Sequence, residues 1–202
     1  MANPMYGQNK FDNSADFIVG DNNEAFIQRN VISMGATTAE TDLTAAQTGS
    51  LIVLNSTASQ IQVINLPTIK PGQVGTYFEF IVTIIGNSAA AGSYTINTGG
   101  HASDPDSATA GYDDFVGTLK IVDNVAVTTA DKSNIVPASG EGALILADDT
   151  TNGVVDVGTS FRLIAIAEST IGTASGNTWL VDGNLMTAQA TSFVTTNVFT
   201  AP

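Results

Sequence analysis

The sequence predicts an all-β protein, an antiparallel β-sandwich of jelly-roll-like, Greek-key type, preceded by an extended N-terminal arm. Three features point to it: short apolar or alternating runs recur about every ten residues, 19 glycines and other turn formers separate them, and helix signal is almost absent. Many short strands at that spacing are what sandwiches and barrels require. At 202 residues the chain suffices for one well-buried domain with an appendage. It divides into an arm, residues 1–35, and a sandwich domain, residues 36–202.

The arm is set apart by composition. Residues 1–35 are rich in Asn, Asp and Gln, carry apolar anchors such as Met5, Ile18 and Ile27, and hold no sustained period. Tyr6, Phe11, Phe17 and Phe26 are the candidate partner-contact residues, since aromatic pegs between polar spacers suit a segment draped over a neighbouring surface. A loosely ordered leader has the same composition.

From Ala36 the pattern becomes that of strands. Thr44 stands three residues before Gln47 and Gly49 follows, which predicts a single helical turn capped at one end and stopped at the other. Leu51 to Asn55 is an apolar run, and Gln60 to Val63 alternates polar with apolar before Ile64, Asn65 and Leu66. Pro67 and Pro71-Gly72 then remove amide donors and fix φ, so the ladder stops at Leu66 and the chain turns a corner. The run Tyr77 to Ile85 puts Phe78, Phe80, Val82 and Ile84 on one face and Tyr77, Glu79, Ile81 and Thr83 on the other, the pattern of a central core strand. Further runs cover 94–97, 116–122, 125–129, 143–146, 154–157, 161–167, 179–181 and 193–199. Turns are expected at Asp123-Asn124, Asn152-Gly153, Gly172, Gly176-Asn177 and Asp182-Gly183. No exact internal repeat occurs.

Charge narrows the function classes. Nineteen acidic residues against six basic ones give a net charge of −13, which opposes nucleic acid, because phosphate neutralisation needs clustered Lys and Arg. Anionic membranes are disfavoured by the same repulsion, and no run of about 18 apolar residues offers a spanning segment. With no cysteine, disulfides and thiolate chemistry are excluded. The first residues lack a basic and an apolar region of the signal-peptide type, so synthesis and assembly in a cytoplasm are expected, and the sequon Asn55-Ser56-Thr57 then meets no glycan.

No catalytic constellation appears, and an enzyme, a cofactor or a metal is not expected. His101, the one histidine, lies in a Gly-rich loop without a nucleophile elbow, so a solvated loop residue is the better reading. Asp148 to Gly153 resembles the start of a calcium loop, but Thr159 stands where a bidentate glutamate is required, and Asn152-Gly153 reads more simply as a hairpin turn. The acidic stretch 104–114 reads as a solvated excursion rather than a cation site. Trp179 alternates with Val181 and is expected in the core rather than at a sugar platform.

One resemblance stands beside these readings. Leu43-Thr44-Ala45-Ala46-Gln47-Thr48-Gly49, followed by an apolar strand, Ile64 to Pro67, Pro71-Gly72 and Phe78 to Val82, resembles a module of tailed-bacteriophage virion proteins. There a phrase like LTAADSG precedes a strand, a Pro/Gly corner and a Y-x-F-I-V strand. Gly158 to Leu163 and Gly176 to Gly183 resemble its closing phrases. The relatives in question are capsid decoration (cement) proteins, including those of phages of marine and cyanobacterial hosts, and the likeness spans residues 43 to 200. The resemblance implies a non-enzymatic virion protein, made in the host cytoplasm, that sits on the capsid surface and bridges major capsid subunits; a homotrimer is expected, because closed rotational symmetry lets identical patches meet quasi-equivalent capsomers. A carbohydrate-binding adhesin or tail-fibre module, with Trp179, Tyr112 and the acidic stretch facing a glycan, is the alternative.

Overall fold

The computed structural model of the protein describes residues 17–19, 25–27, 29–35, 40–55, 61–70, 72–84, 94–98, 114–123, 134–138, 141–146, 148–149, 153–167, 178–187 and 198–200. Sixteen strands lie among them: β1 (Phe17–Val19), β2 (Ala25–Ile27), β3 (Val31–Met34), β4 (Thr41–Asp42), β5 (Leu51–Leu54), β6 (Gln62–Asn65), β7 (Tyr77–Val82), β8 (Tyr94–Asn97), β9 (Asp114–Asp123), β10 (Asn134–Ile135), β11 (Ala143–Leu146), β12 (Asp148–Asp149), β13 (Gly153–Val154), β14 (Ser160–Ala167), β15 (Thr178–Thr187) and β16 (Phe199–Thr200). A seven-stranded sheet runs β10-β9-β15-β14-β7-β5-β3 and a five-stranded sheet runs β16-β11-β8-β6-β4. They pack together as the expected all-β sandwich around one core. β1–β2 and β12–β13 are separate antiparallel pairs.

Strand direction divides the sandwich. From β3 to β8 the chain changes sheet at every strand, so β3, β5 and β7 run parallel in one sheet and β4, β6 and β8 run parallel in the other. The result is three turns of a flattened coil. Ile32, Ile52 and Phe80 stack in one column across it, and Met34, Leu54 and Val82 in the next. Antiparallel pairing, the expected mode, holds for β7–β14–β15 and for β8–β11–β16, while β9 adds parallel to β15. The period-2 alternation of a strand is the same in both directions, so the sequence pattern carries no signal for the parallel half. Nor does the coil leave a repeat: equivalent positions stand 20 residues apart between Val31 and Leu51 and 28 apart between Leu51 and Glu79.

The core is aromatic where the sheets meet. Phe115 on β9 reaches Phe199 on β16 with ring centroids 5.7 Å apart, and within the larger sheet Phe80 stacks on Phe161 at 5.0 Å while Phe78 lies 6.1 Å from Trp179. Such pairs contribute about 0.5–1.5 kcal/mol beyond their buried area. Trp179 is fully buried, as its alternation with Val181 predicts.

Local signals translate faithfully at the capped turn. Ala45–Gln47 form one 3-10 turn, Gln47 Oε1 accepts from the Thr44 amide at 2.7 Å, and Gly49 ends the turn at φ +81°. Residues 66–70 and 72–76 form the expected corner, with Lys70 and Gln73 closing a turn.

Four readings change. Val31–Met34, assigned to the arm, is the edge strand of the seven-stranded sheet, with Met34 buried, because four residues suffice for a parallel edge. Ile84 is 37% exposed instead of buried. The amides of Thr83 and Ile84 both donate to Leu54 O, at 2.9 and 3.2 Å, and two residues sharing one partner shift the alternation out of phase. Asp182-Gly183 is no turn but the middle of β15. The strand expected over 154–157 stops at Val154, and Asp156 begins a turn in which its carbonyl accepts from the Thr159 amide. The runs 125–129 and 193–197, Asn124, Gly172 and Gly176-Asn177 lie outside the described residues.

Candidate interaction surface

The outward side chains of the seven-stranded sheet form the most distinctive surface of the described residues. Each sits between core positions: Glu79 between Phe78 and Phe80, Arg162 between Phe161 and Leu163, Asp182 beside Val181. Register then sets Glu79 opposite Arg162 and Arg162 opposite Asp182, so three adjacent strands carry negative, positive and negative side chains in a row.

Arg29 completes this row from the root of the arm. Its Nη1 donates to Glu79 Oε2 at 2.7 Å and its Nε donates to Gly49 O at 2.8 Å. The Arg29 hydrogen bond holds the Glu79 carboxyl below the usual carboxylate range, against partial burial and with help from the charges of Arg29 and Arg162. Both partners are 37% exposed, so the pair stabilises by no more than about 1 kcal/mol.

One pleat further along the strands the face is apolar. Tyr77, Ile164, Leu180 and Val116 follow one another across β7, β14, β15 and β9. Ile166 and Val74 flank this row and are exposed; the Gly75 amide donates to Ala165 O at 2.9 Å and ties the Val74 turn to β14. Lys120 projects outward from β9 between buried Leu119 and Ile121.

The five-stranded sheet carries a polar stack instead. Asp42, Asn65 and Asn97 stand in register across β4, β6 and β8. Asn65 Nδ2 donates to Asp42 Oδ1 at 2.7 Å and to Glu40 Oε1, and Asn65 Oδ1 accepts from Asn97 Nδ2 at 3.1 Å. Asn65 is wholly buried yet served on both sides, so the stack fixes the register of the coil in the manner of amide ladders.

Of the four sequence candidates, Tyr6 and Phe11 lie outside the described residues. Phe17 and Phe26 fall in one hairpin, where the backbone of Phe17 pairs with Ile27 and that of Phe26 with Ile18. His101, Tyr112 and 104–113 also lie outside; Asp114 opens β9. Among the described residues no three carboxylate or imidazole side chains gather as a metal site. Arg29, Lys120 and Arg162 were not singled out by sequence, because an isolated basic residue on a strand gains meaning only when register supplies its neighbours.

Comparison with family models, with curated proteins and with solved structures gives no match to this chain. Fold and surface define a class all the same: an all-β, two-sheet protein with one sheet face that is both apolar and charge-paired.

Proposed function

We propose that the protein is a structural component of a virion, acting by binding rather than by chemistry. More particularly, it acts as a capsid decoration (cement) protein of a tailed bacteriophage, attached to the outer surface of the shell and bridging major capsid subunits. The observation that supports this reading is where the stretches that resemble virion modules fall: on the capped turn at 43–49, the corner around 66–70 and 72–76, and β7, β14 and β15, three adjacent strands in the middle of the seven-stranded sheet. The acidic balance, −13 overall, supports a protein that stays off the packaged nucleic acid and off anionic membranes.

The mechanism is multivalent bridging. A module that touches two or more capsid subunits must break several contacts at once to leave, which raises effective affinity without any single strong contact. A homotrimer on local threefold positions would multiply this again. The arm, with Tyr6, Phe11, Phe17 and Phe26, supplies part of the contact. The protein is made in the host cytoplasm and ends on the capsid surface.

Image reconstruction of particles assembled with and without the protein tests this directly, with density expected on the outer shell. Deleting residues 2–28, which spares Arg29, is expected to lower capsid occupancy; unchanged occupancy would remove the arm from the contact. The carbohydrate-binding reading loses its stacking platform, because Trp179 is fully buried. Binding to a glycan array without capsid binding would revive it.

A further inference from the structure

We infer that the outer face of the seven-stranded sheet is covered, in the assembled protein, by a second copy of this chain. The inference stands independently of the capsid reading.

The first ground is charge. Arg29, Lys120 and Arg162, half of the chain's six basic residues, project from this face, where Glu79, Asp114 and Asp182 offset them. The described charges of the face sum to zero, so the net charge of −13 resides elsewhere on the chain. Two bodies of that charge repel wherever their acidic surfaces meet. Here they can approach without that repulsion, and Lys120 and Arg162 are presented to a copy whose remaining surface is acidic.

The second ground is apolarity at a place where a solvated sheet face alternates to polar side chains. The row Tyr77, Ile164, Leu180 and Val116 crosses four strands without a polar interruption, and Tyr77 and Ile166 are 37% and 46% exposed. A continuous apolar row rimmed by charge is the make-up of an interface core with its polar rim.

The third ground is size. Seven strands at ~4.8 Å spacing, each presenting about five residues at ~3.3 Å, give a plan area of roughly 500 Å² before side-chain relief. That approaches the ~800 Å² per partner of a stable interface.

Sedimentation equilibrium of the full chain at micromolar concentration tests the inference. The unaltered protein is expected to sediment as a multiple of its chain mass. Tyr77→Asp with Ile166→Asp places one carboxylate in the apolar row and one on its flank and is expected to weaken self-association by roughly a hundredfold or more. Lys120→Glu with Arg162→Glu changes only exposed groups and takes the face from neutral to −4; it is expected to weaken association at low salt and to recover as salt is added. Ile61→Asp, before β6 on the other sheet, is expected to leave the mass unchanged. Circular dichroism confirms that each variant is folded. A single-chain mass for the unaltered protein, or unchanged association in the folded Lys120→Glu, Arg162→Glu variant at low salt, would overturn the inference.

Discussion

Gly183 lies directly against the backbone of Phe161: a Cβ on Gly183 would stand 2.4 Å from Phe161 Cα and 2.5 Å from Ser160 O. Glycine is therefore what allows β14 and β15 to approach at the middle of the larger sheet, and Phe161 in turn stacks on Phe80. Gly183→Ala is expected to push the hairpin apart and to cost about 1–3 kcal/mol in denaturant unfolding. Gly72→Ala is the control. Gly72, unlike Gly183, has a positive φ, +84°, and among the described residues no atom lies within 4 Å of the added Cβ, so only the backbone penalty of about 1 kcal/mol remains.

The Arg29–Glu79 pair gives a pH signature. Because the folded state lowers the Glu79 carboxyl, its contribution is fully present above the unfolded value and is lost as pH falls through the lowered folded value. Glu79→Gln is expected to cost up to about 1 kcal/mol at neutral pH and low salt. The difference from the unaltered protein should vanish on acidification, as followed by thermal unfolding across a pH series.

Asn65 is the sensitive member of the polar stack. Its Nδ2 serves both Glu40 and Asp42, so Asn65→Asp replaces a shared donor with a third carboxylate at a fully buried position. A loss of about 3–5 kcal/mol is expected at neutral pH. The introduced acid binds its proton more readily in the folded than in the unfolded state, so stability relative to the unaltered protein should rise as pH falls. A loss independent of pH would show that volume, not charge, governs the site.

Trp179 is the one tryptophan and is wholly buried. Its emission should be blue-shifted and shielded from aqueous quenchers until global unfolding. Trp179→Ala is expected to cost about 3–5 kcal/mol. Trp179→Phe should cost about 1.5 kcal/mol or less, since the buried Nε1 has no hydrogen-bond acceptor among the described residues and the substitution removes that donor along with the lost volume.

What was legible in the sequence was local. The Thr44–Gln47 cap, the Pro67 to Gly72 corner and the burial of Phe78, Phe80, Val82 and Trp179 each depend on residues a few positions apart. Alternation alone puts Ile84 inward, whereas the acceptor it shares with Thr83, Leu54 O on the neighbouring strand, sets it outward. Asp182-Gly183 read as a turn since Asp-Gly favours turns, whereas tertiary crowding at Phe161 is what requires the glycine. The coil was hidden because its turns differ in length. The outer charged row needed register, which links Glu79 to Arg162 and Asp182 across 83 and 20 residues of sequence (79 to 162, 162 to 182).

The placement of the β14–β15 hairpin imposes an order on synthesis. Turns β3 to β8 join neighbours close in the chain and can wind up as they leave the ribosome. Strand β9 is made next and can pair early only with the two-residue β10, because its neighbour on the side of the coil is β15, whose first residue, Thr178, lies 64 positions after Asp114. Until that hairpin emerges and slots between β7 and β9, the nascent protein holds a finished coil beside a strand waiting for its place, so the later interval is when it is most open to capture by chaperones or by other chains.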